Sequence, residues 1–334
     1  MSTIIEETDS ATMEREAARM GVTLPIEQTR VWADYQAGID GRAPWGCVLA
    51  RRDGRVVALL SLIDYHTHGY HYLRSTHGPV WASKPGEDEE RELLEALAAY
   101  VHAKDHDVVF LRLDTWYETG TFPVLSTVPY NETVVVDLTG GDEEILARMR
   151  KRGRRDVRKA LRESPAVCAD ETDAAAEDFS AYYDVMVETA ERDGFEPAPQ
   201  SDYEDMIRDL GPDHCRVFAA RVEGEVVAWA ILTVNGDEAV YYYACVRTEF
   251  RRALVPDKLL YTFCCALGER GVGRIDLMGV GNDFSPSIRS LNTFKTKFAE
   301  ETTPVAPSRD VPVRRTMYQA LQAAKRMRDG IRGE

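Results

Sequence analysis

The chain has 334 residues, 44% hydrophobic and 29% charged, with a formal charge of −15. These are the proportions of a soluble globular protein long enough for two domains, and no apolar run approaches a membrane helix, the best being "VVALLSLI" at 56–63. The start, "MSTIIEETDSATMEREAARMG", lacks the basic and apolar regions of a secretory signal, and Cys47, Cys168, Cys215, Cys245, Cys264 and Cys265 form no CxxC pair, so they read as reduced thiols of a cytoplasmic protein.

The first strong structural signal along the chain is "ARRDGRVVALLSL" at 50–62. It reads as a strand, an acidic-Gly turn at Asp53-Gly54 and a second strand, a hairpin. Four histidines follow in "DYHTHGYHYLRSTHG" (His66, His68, His71, His77), and His-x-His-x-x-His can ligate zinc. Alternating faces separate His68 from His71, however, so a polar hairpin without metal is expected. A helix then spans "EDEERELLEALAAYVHAKD", with apolar residues at helical spacing, and the strand "VVFLRLD" ends at Asp114.

Residues 148–162, "RMRKRGRRDVRKALR", carry nine Arg or Lys against one Asp, and 309–334 carry seven against three acidic residues. The rest of the chain is correspondingly more acidic. A basic stripe on an acidic body is either a place to hold phosphates or a solvated helix face.

At 220–232 the first hairpin returns: "ARVEGEVVAWAIL" aligns without gaps at an offset of 170, identical at seven of thirteen positions. Each copy continues into an aromatic-rich strand, a helix ("PDKLLYTFCCALGERG" in the second) and a short strand ("RIDLMGV"). Hairpin–strand–helix–strand, twice, predicts an α/β chain of two related domains with mixed sheets. The order resembles the core of the acetyltransferase (GNAT) fold, present in tandem. In that fold a loop of Val, an aromatic, Arg and spaced glycines cradles coenzyme A at a helix N-terminus. "VRTEFRRALVPDKLL" at 246–260 keeps Val246, Phe250 and Arg251 but has Arg252, Leu254 and Pro256 at the glycine positions. A side chain at 254 and a missing N–H at 256 weaken any pyrophosphate cradle, and the first copy has no such loop.

Beyond the repeat, several segments run through nearly the whole chain in one order: "PIEQTRVW" (25–32), "YLRSTHGPV" (72–80), "RKRGRRDVRKALRES" (150–164), "ERDGF" (191–195), "AVYYYACV" (239–246) and "RIDLMGVGNDFSPSIRSLNTFKTKF" (274–298). With them the chain resembles the FemABX family of non-ribosomal peptidyltransferases, which move an amino acid from aminoacyl-tRNA to a cell-wall precursor. Without a sustained heptad run it looks like the compact type lacking a coiled-coil arm. The resemblance implies a first domain of residues 1–145 joined by a returning C-terminal helix (311–334), and a second of 146–310.

It also implies site residues. Phe294 and Lys295 match a Phe-Lys pair near the reacting ester and the tRNA end; Asp114 matches an acidic residue at the acceptor site; Tyr203 and Tyr243 match tyrosines of the acceptor groove. Lys295 could serve the oxyanion or a tRNA phosphate, and Asp114 could take or orient the acceptor's proton, or merely cap a turn. In "TFKTKF" the alternation predicts a strand with Phe294 and Phe298 on one face and Lys295 and Lys297 on the other. Lys297, Arg251, Arg252, Arg154 and Arg155 join Phe294 as expected tRNA contacts.

Two positions depart from the family. Gln36 and Pro199 stand where members using a UDP-linked acceptor carry cations, so a lipid-linked precursor or another peptide amine becomes as good an acceptor. The expected activity is aminoacyl transfer from tRNA to an amine of a peptidoglycan stem peptide. The alternatives are tRNA-dependent acylation of a small natural-product amine, or coenzyme A-dependent N-acylation. The expected partners are aminoacyl-tRNA as co-substrate and a lipid- or UDP-linked muropeptide, with no DNA. No cofactor is expected. The location expected is cytoplasmic, with the membrane's inner face an option.

Overall fold

Both duplicated hairpins form, with the same register and the same irregularity. Arg51 pairs with Val56 and Arg221 with Val226, each just past a bulge at Ala50 or Ala220. Asp53 and Gly54 (φ 52 and 76) match Glu223 and Gly224 (φ 53 and 90). Two successive residues in the left-handed region make the tight turn that suits right-twisted strands, which is why each turn ends in glycine.

The structure, a computed structural model, describes residues 3–125 and 127–332. In chain order the first part runs β1 (Ile4–Thr8), α1 (Ser10–Met20), α2 (Arg30–Ala37), β2 (Arg42–Arg52), β3 (Arg55–Thr67), β4 (Tyr70–Ser75), β5 (Val80–Trp81), α3 (Glu87–Lys104), β6 (Val108–Asp114) and β7 (Phe122–Pro123). There follow β8 (Glu132–Asp137), α4 (Asp142–Arg148), α5 (Lys151–Glu163), β9 (Val167–Asp170), α6 (Thr172–Glu177), α7 (Ser180–Asp193) and α8 (Gln200–His214). The remainder is β10 (Cys215–Val222), β11 (Glu225–Asn235), β12 (Glu238–Val246), α9 (Val255–Glu269), β13 (Arg274–Gly279), α10 (Asn292–Lys295), β14 (Thr303–Pro304), β15 (Ser308–Pro312) and α11 (Arg315–Arg332).

These elements form two units, Met1–Asn131 with Val305–Glu334, and Glu132–Pro304. The changeovers lie at 131/132 and 304/305 rather than at 145 and 310. The reason is strand pairing: β8 pairs with β13 and β14 in the second unit, while β15 pairs with β6 and β7 in the first. The sheet orders are β1-β2-β3-β4-β6-β15-β7, with β5 beside β3, and β14-β8-β13-β12-β11-β10-β9.

Each unit packs one long amphipathic helix on its sheet. In the first, Leu93, Leu94, Leu97 and Val101 of α3 meet Leu60, Leu73 and Leu111. In the second, Leu259, Leu260, Phe263 and Leu267 of α9 meet Ala228, Ala230 and Ile275. Spacings of three and four put these residues on one helix face. Two tandem acetyltransferase-type domains with mixed sheets are therefore present, without a coiled-coil arm among the described residues, whose longest helices, α3 and α11, have 18 residues each. No described helix is long and apolar enough to cross a membrane. The helix α11 returns to the first unit, where Tyr318 packs on Phe110 at 5.4 Å and its hydroxyl meets Asp310 Oδ2 at 3.2 Å.

The units differ in their parallel strand pair. In the first, β4 and β6 stay paired from His71–Val108 to Ser75–Leu113. In the second, β12 and β13 pair only from Glu238–Arg274 to Val240–Asp276, although β12 keeps β11 on its other edge as far as Val246. The second unit's parallel pair thus opens after three residues.

Candidate functional site

In the second unit a bulge and a buried lysine follow the opening along β13. Beyond Asp276, β13 bulges at Met278, which takes a left-handed φ of 62. Asp276 holds the bulge by accepting from the Met278 N–H (2.6 Å) and from the Thr133 hydroxyl. Immediately after it, the Gly279 carbonyl accepts from Lys295 Nζ at 3.0 Å. Lys295 is buried, and that burial pulls its ammonium down from an ordinary 10.5 to about 8, against the opposing pull of Asp276. A lysine so placed is a cation that can also release its proton near neutral pH.

The segment around Lys295 is not a strand. Asn292–Lys295 is a short helix continued by a turn, and Phe294 and Phe298 meet edge to face at 5.1 Å. Lys297 does not share an open face with Lys295. It is buried, ion-paired with Asp257 and 3.8 Å from Asp156, with the two phenylalanine rings beneath its ammonium. An ammonium already satisfied by buried carboxylates is not presented to a tRNA phosphate, so Lys297 is a structural tie between α5, α9 and α10. The loop preceding α10 is locked by Asn292, whose amide exchanges hydrogen bonds with Gly281 N (2.8 Å) and Gly281 O (2.7 Å). A Cβ at Gly281 would lie 2.3 Å from Arg289 N, so only glycine fits there.

Several donors of the degenerate loop at 246–256 are used within the unit. The N–H groups of Arg247, Thr248, Phe250 and Ala253 bond Val227 O, Glu188 Oε1, Arg247 O and Phe250 O. Leu254 caps α9 at a φ of 55, Pro256 lies in the first turn, and the first-turn Asp257 is held by Lys297. The first turn of α9 thus lacks the N–H of Pro256 and carries a buried carboxylate paired with a lysine. In the first unit the corresponding end of α3 is likewise acidic: buried Glu90 accepts from Trp116 N (2.9 Å) and Tyr117 N (2.8 Å).

The other expected residues of this unit divide by exposure. Tyr203 is buried against Phe179 and Trp229, and its hydroxyl is pushed up to about 12 by burial. It is therefore a support and not a groove wall. Tyr243 stands on the open stretch of β12, 37% exposed, with Tyr203 edge-on at 5.1 Å. Arg251 and Arg252 are exposed on the turn before α9. On α5, Arg154 folds back on the carbonyls of Ala147 and Met149, whereas Arg155 projects to solvent. Both line a shallow groove with Lys151, Arg152, Arg158 and Arg162.

In the first unit, three of the sequence segments converge. Gln28, buried in the turn before α2, accepts from Ser61 N (2.7 Å) and donates to Ser75 Oγ (3.0 Å) and Thr76 O (2.5 Å). Glu27 is buried beside it and bonds His77 Nδ1 at 3.0 Å, with its Oε1 lacking a partner. The His77 N–H donates to Asp114 Oδ2 at 3.0 Å, and the Ser308 hydroxyl donates to Oδ1. Burial raises the Asp114 carboxyl, with His77, Ser308 and Arg74 pulling the other way. Asp114 thus sits beside a pair of a buried carboxylate and a half-buried imidazole; Glu27, within "PIEQ", carries no sequence signal of its own. Gln36 is buried and its Oε1 accepts from Arg42 Nη1 (2.9 Å) and Tyr65 (3.1 Å), so the cation at this place comes from Arg42.

Fold and site together define a tandem acetyltransferase-type protein whose second unit keeps an opened strand pair but no coenzyme A cradle of the usual kind. Residues 147–285 match the acetyltransferase (GNAT) domain family. No curated protein sequence matches the chain. Among solved structures, FemX superposes with a TM-score of 0.71 at 18% identity, covering 96% of this chain and 99% of that one. L-PGS from Bacillus licheniformis gives 0.54 at 14% identity, covering 96% and 97%. The C-terminal domain of a putative lysylphosphatidylglycerol synthetase from Agrobacterium fabrum gives 0.53 at 13%, covering 90% and 92%. At these identities the likeness is one of fold.

Proposed function

We propose that the protein is an aminoacyltransferase that moves an amino acid from aminoacyl-tRNA to an amine of a peptidoglycan precursor stem peptide. The observation that supports this reading is the agreement with the fold of FemX over 96% of the chain, in a protein whose α9 begins with Leu254 and Pro256 where a coenzyme A loop has glycines. The acceptor amine attacks the carbonyl carbon of the aminoacyl ester. A C–N bond forms, the C–O bond to the tRNA ribose breaks, the amine loses a proton and the leaving oxygen gains one. Lys295 as ammonium stabilises the oxyanion of the tetrahedral intermediate and can protonate the leaving oxygen, a role its value of about 8 permits. In the first unit, Asp114 offers a carboxylate to an ammonium of the acceptor. Tyr243 contacts the acceptor peptide, and the exposed Arg155, Arg251 and Arg252 meet tRNA phosphates. The reaction so written needs no cofactor, and on this reading the chain works in the cytoplasm or at the inner face of the membrane. The putative lysylphosphatidylglycerol synthetase in the comparison favours a lipid-linked acceptor over a UDP-linked one.

The acetyltransferase match supports a second reading, coenzyme A-dependent N-acylation. Calorimetry with acetyl-CoA and binding of charged tRNA separate the two. The aminoacyl reading predicts tRNA binding that weakens steeply with salt and no heat from acetyl-CoA. Tight acetyl-CoA binding overturns it.

A further inference from the structure

The β3–β4 hairpin gathers side chains that the sequence pattern had set apart. Its turn falls at His68–Gly69, while the second unit's hairpin turns at Gly236–Asp237, two residues earlier than an offset of 170 places it. His66 and His71 are therefore in strands, directly opposite each other, and Asp64 shares the His66 face two residues back. Asp64 Oδ2 lies 3.0 Å from His66 Nε2 and 3.1 Å from His71 Nδ1. One ligand atom from each of the three residues falls within 4.8 Å of the others, and the two imidazoles stack at 4.8 Å.

We propose that Asp64, His66 and His71 form a binding site for a divalent transition-metal ion of the zinc type. Metal–ligand bonds of about 2.0–2.2 Å in a tetrahedron put ligand atoms about 3.3 Å apart. Two of the three edges already stand near that value, and His66, 61% exposed, has room to close the third. Imidazole with carboxylate suits zinc, nickel or copper and does not suit magnesium or calcium. A second carboxylate completes the usual arrangement around a ligating histidine: Asp105 Oδ1 lies 3.9 Å from His71 Nε2, the nitrogen that faces away from Asp64, and Asp105 Oδ2 accepts from Trp45 Nε1 at 3.4 Å. At 3.9 Å the two are not hydrogen-bonded; drawn in by about 1 Å on metal binding, Asp105 would fix which ring nitrogen carries the proton and leave Nδ1 for the metal. The equivalent cross-strand pair of the second hairpin, counted from its turn, is Val234 with Ala239, so the ligand set belongs to the first unit alone. Three protein ligands leave a fourth position for water or an outside ligand.

The test is zinc titration of the EDTA-treated full-length chain by calorimetry, with thermal melts alongside. One zinc per chain is expected, with a rise in Tm as bound metal favours the folded state. His66→Ala and His71→Ala should each weaken binding at least tenfold, and Asp105→Ala about tenfold through the second carboxylate. His102→Ala and His106→Ala, exposed neighbours outside the set, should leave it unchanged. Should His71→Ala fail to fold, the exposed His66 carries the test by itself. Absence of zinc binding at micromolar metal, or binding that survives His66→Ala, overturns the proposal.

Discussion

The two units share a hairpin down to its bulge and turn, yet they treat their parallel strands differently. In the first, β4 and β6 pair from His71 to Ser75 across one register shift, and beyond them His77 bonds both Asp114 and Glu27. In the second, β12 and β13 part after Val240; Tyr243 lies on the unpaired stretch of β12, and the buried Lys295 bonds Gly279 at the end of β13. One scaffold is thus tied by polar groups where the other is opened by a bulge. The difference is made by few residues: the bulge at Met278, the Asp276 carboxylate that holds it, and the Asn292 clamp on Gly281.

The largest expected effect tests the open unit. Lys295→Ala should lower the rate of transfer by about 10²–10³, the scale of losing one oxyanion donor, with circular dichroism unchanged. In single-turnover assays Asp114→Asn should act on the first unit instead, raising KM for the acceptor more than it lowers kcat. Equal effects of the two variants on kcat would erase the functional contrast between the units. The wild-type rate should also fall as pH rises through about 8, because the active form of Lys295 is the ammonium.

Next in size is the contrast between two lysines two residues apart. Lys297→Ala strands the buried Asp257 carboxylate and should cost about 3–5 kcal/mol in urea unfolding. Lys295→Met should do the reverse at neutral pH, raising stability by about 1–3 kcal/mol by removing a charge that burial disfavours. Between about 8 and 10.5 the unfolded chain still holds the proton that folded Lys295 has released, so native stability rises with pH across that window. The advantage of Lys295→Met should therefore shrink over the same range.

The smallest effects concern glycines. Gly281→Ala drives a Cβ to within 2.3 Å of the Arg289 backbone nitrogen, which cannot step aside. It should cost about 2–3 kcal/mol and loosen the Lys295 loop. Gly78→Ala meets the Ser75 hydroxyl and the Gln28 amide, side-chain groups that can rotate, and should cost about 1 kcal/mol in the first unit.

Much of this was legible in the sequence. The duplicated hairpin, the two long helices and the faulty phosphate loop all follow from local patterns that the tertiary structure leaves in place. The "TFKTKF" segment misled because phenylalanines four apart, at 294 and 298, satisfy a helical period as well as a strand alternation. The burial of Lys297 could not be read locally, since its partner Asp257 is 40 residues away in the chain. The pairing of His66 with His71 was hidden by strand length: β3 has 13 residues and β11 has 11, which moves the turn. Glu27 and Arg42 escaped because a single acidic or basic residue beside a buried glutamine carries no sequence signature.

The central claim, aminoacyl transfer by the open second unit, is tested most directly by mass spectrometry. The protein is mixed with total charged tRNA and three acceptors: UDP-MurNAc-pentapeptide, a lipid-linked precursor and a free peptide. The account predicts that one acceptor gains the mass of an amino-acid residue, that RNase abolishes the gain, and that Lys295→Ala removes it. No gain on any acceptor with charged tRNA, together with acylation of an amine when acetyl-CoA is supplied instead, contradicts the account.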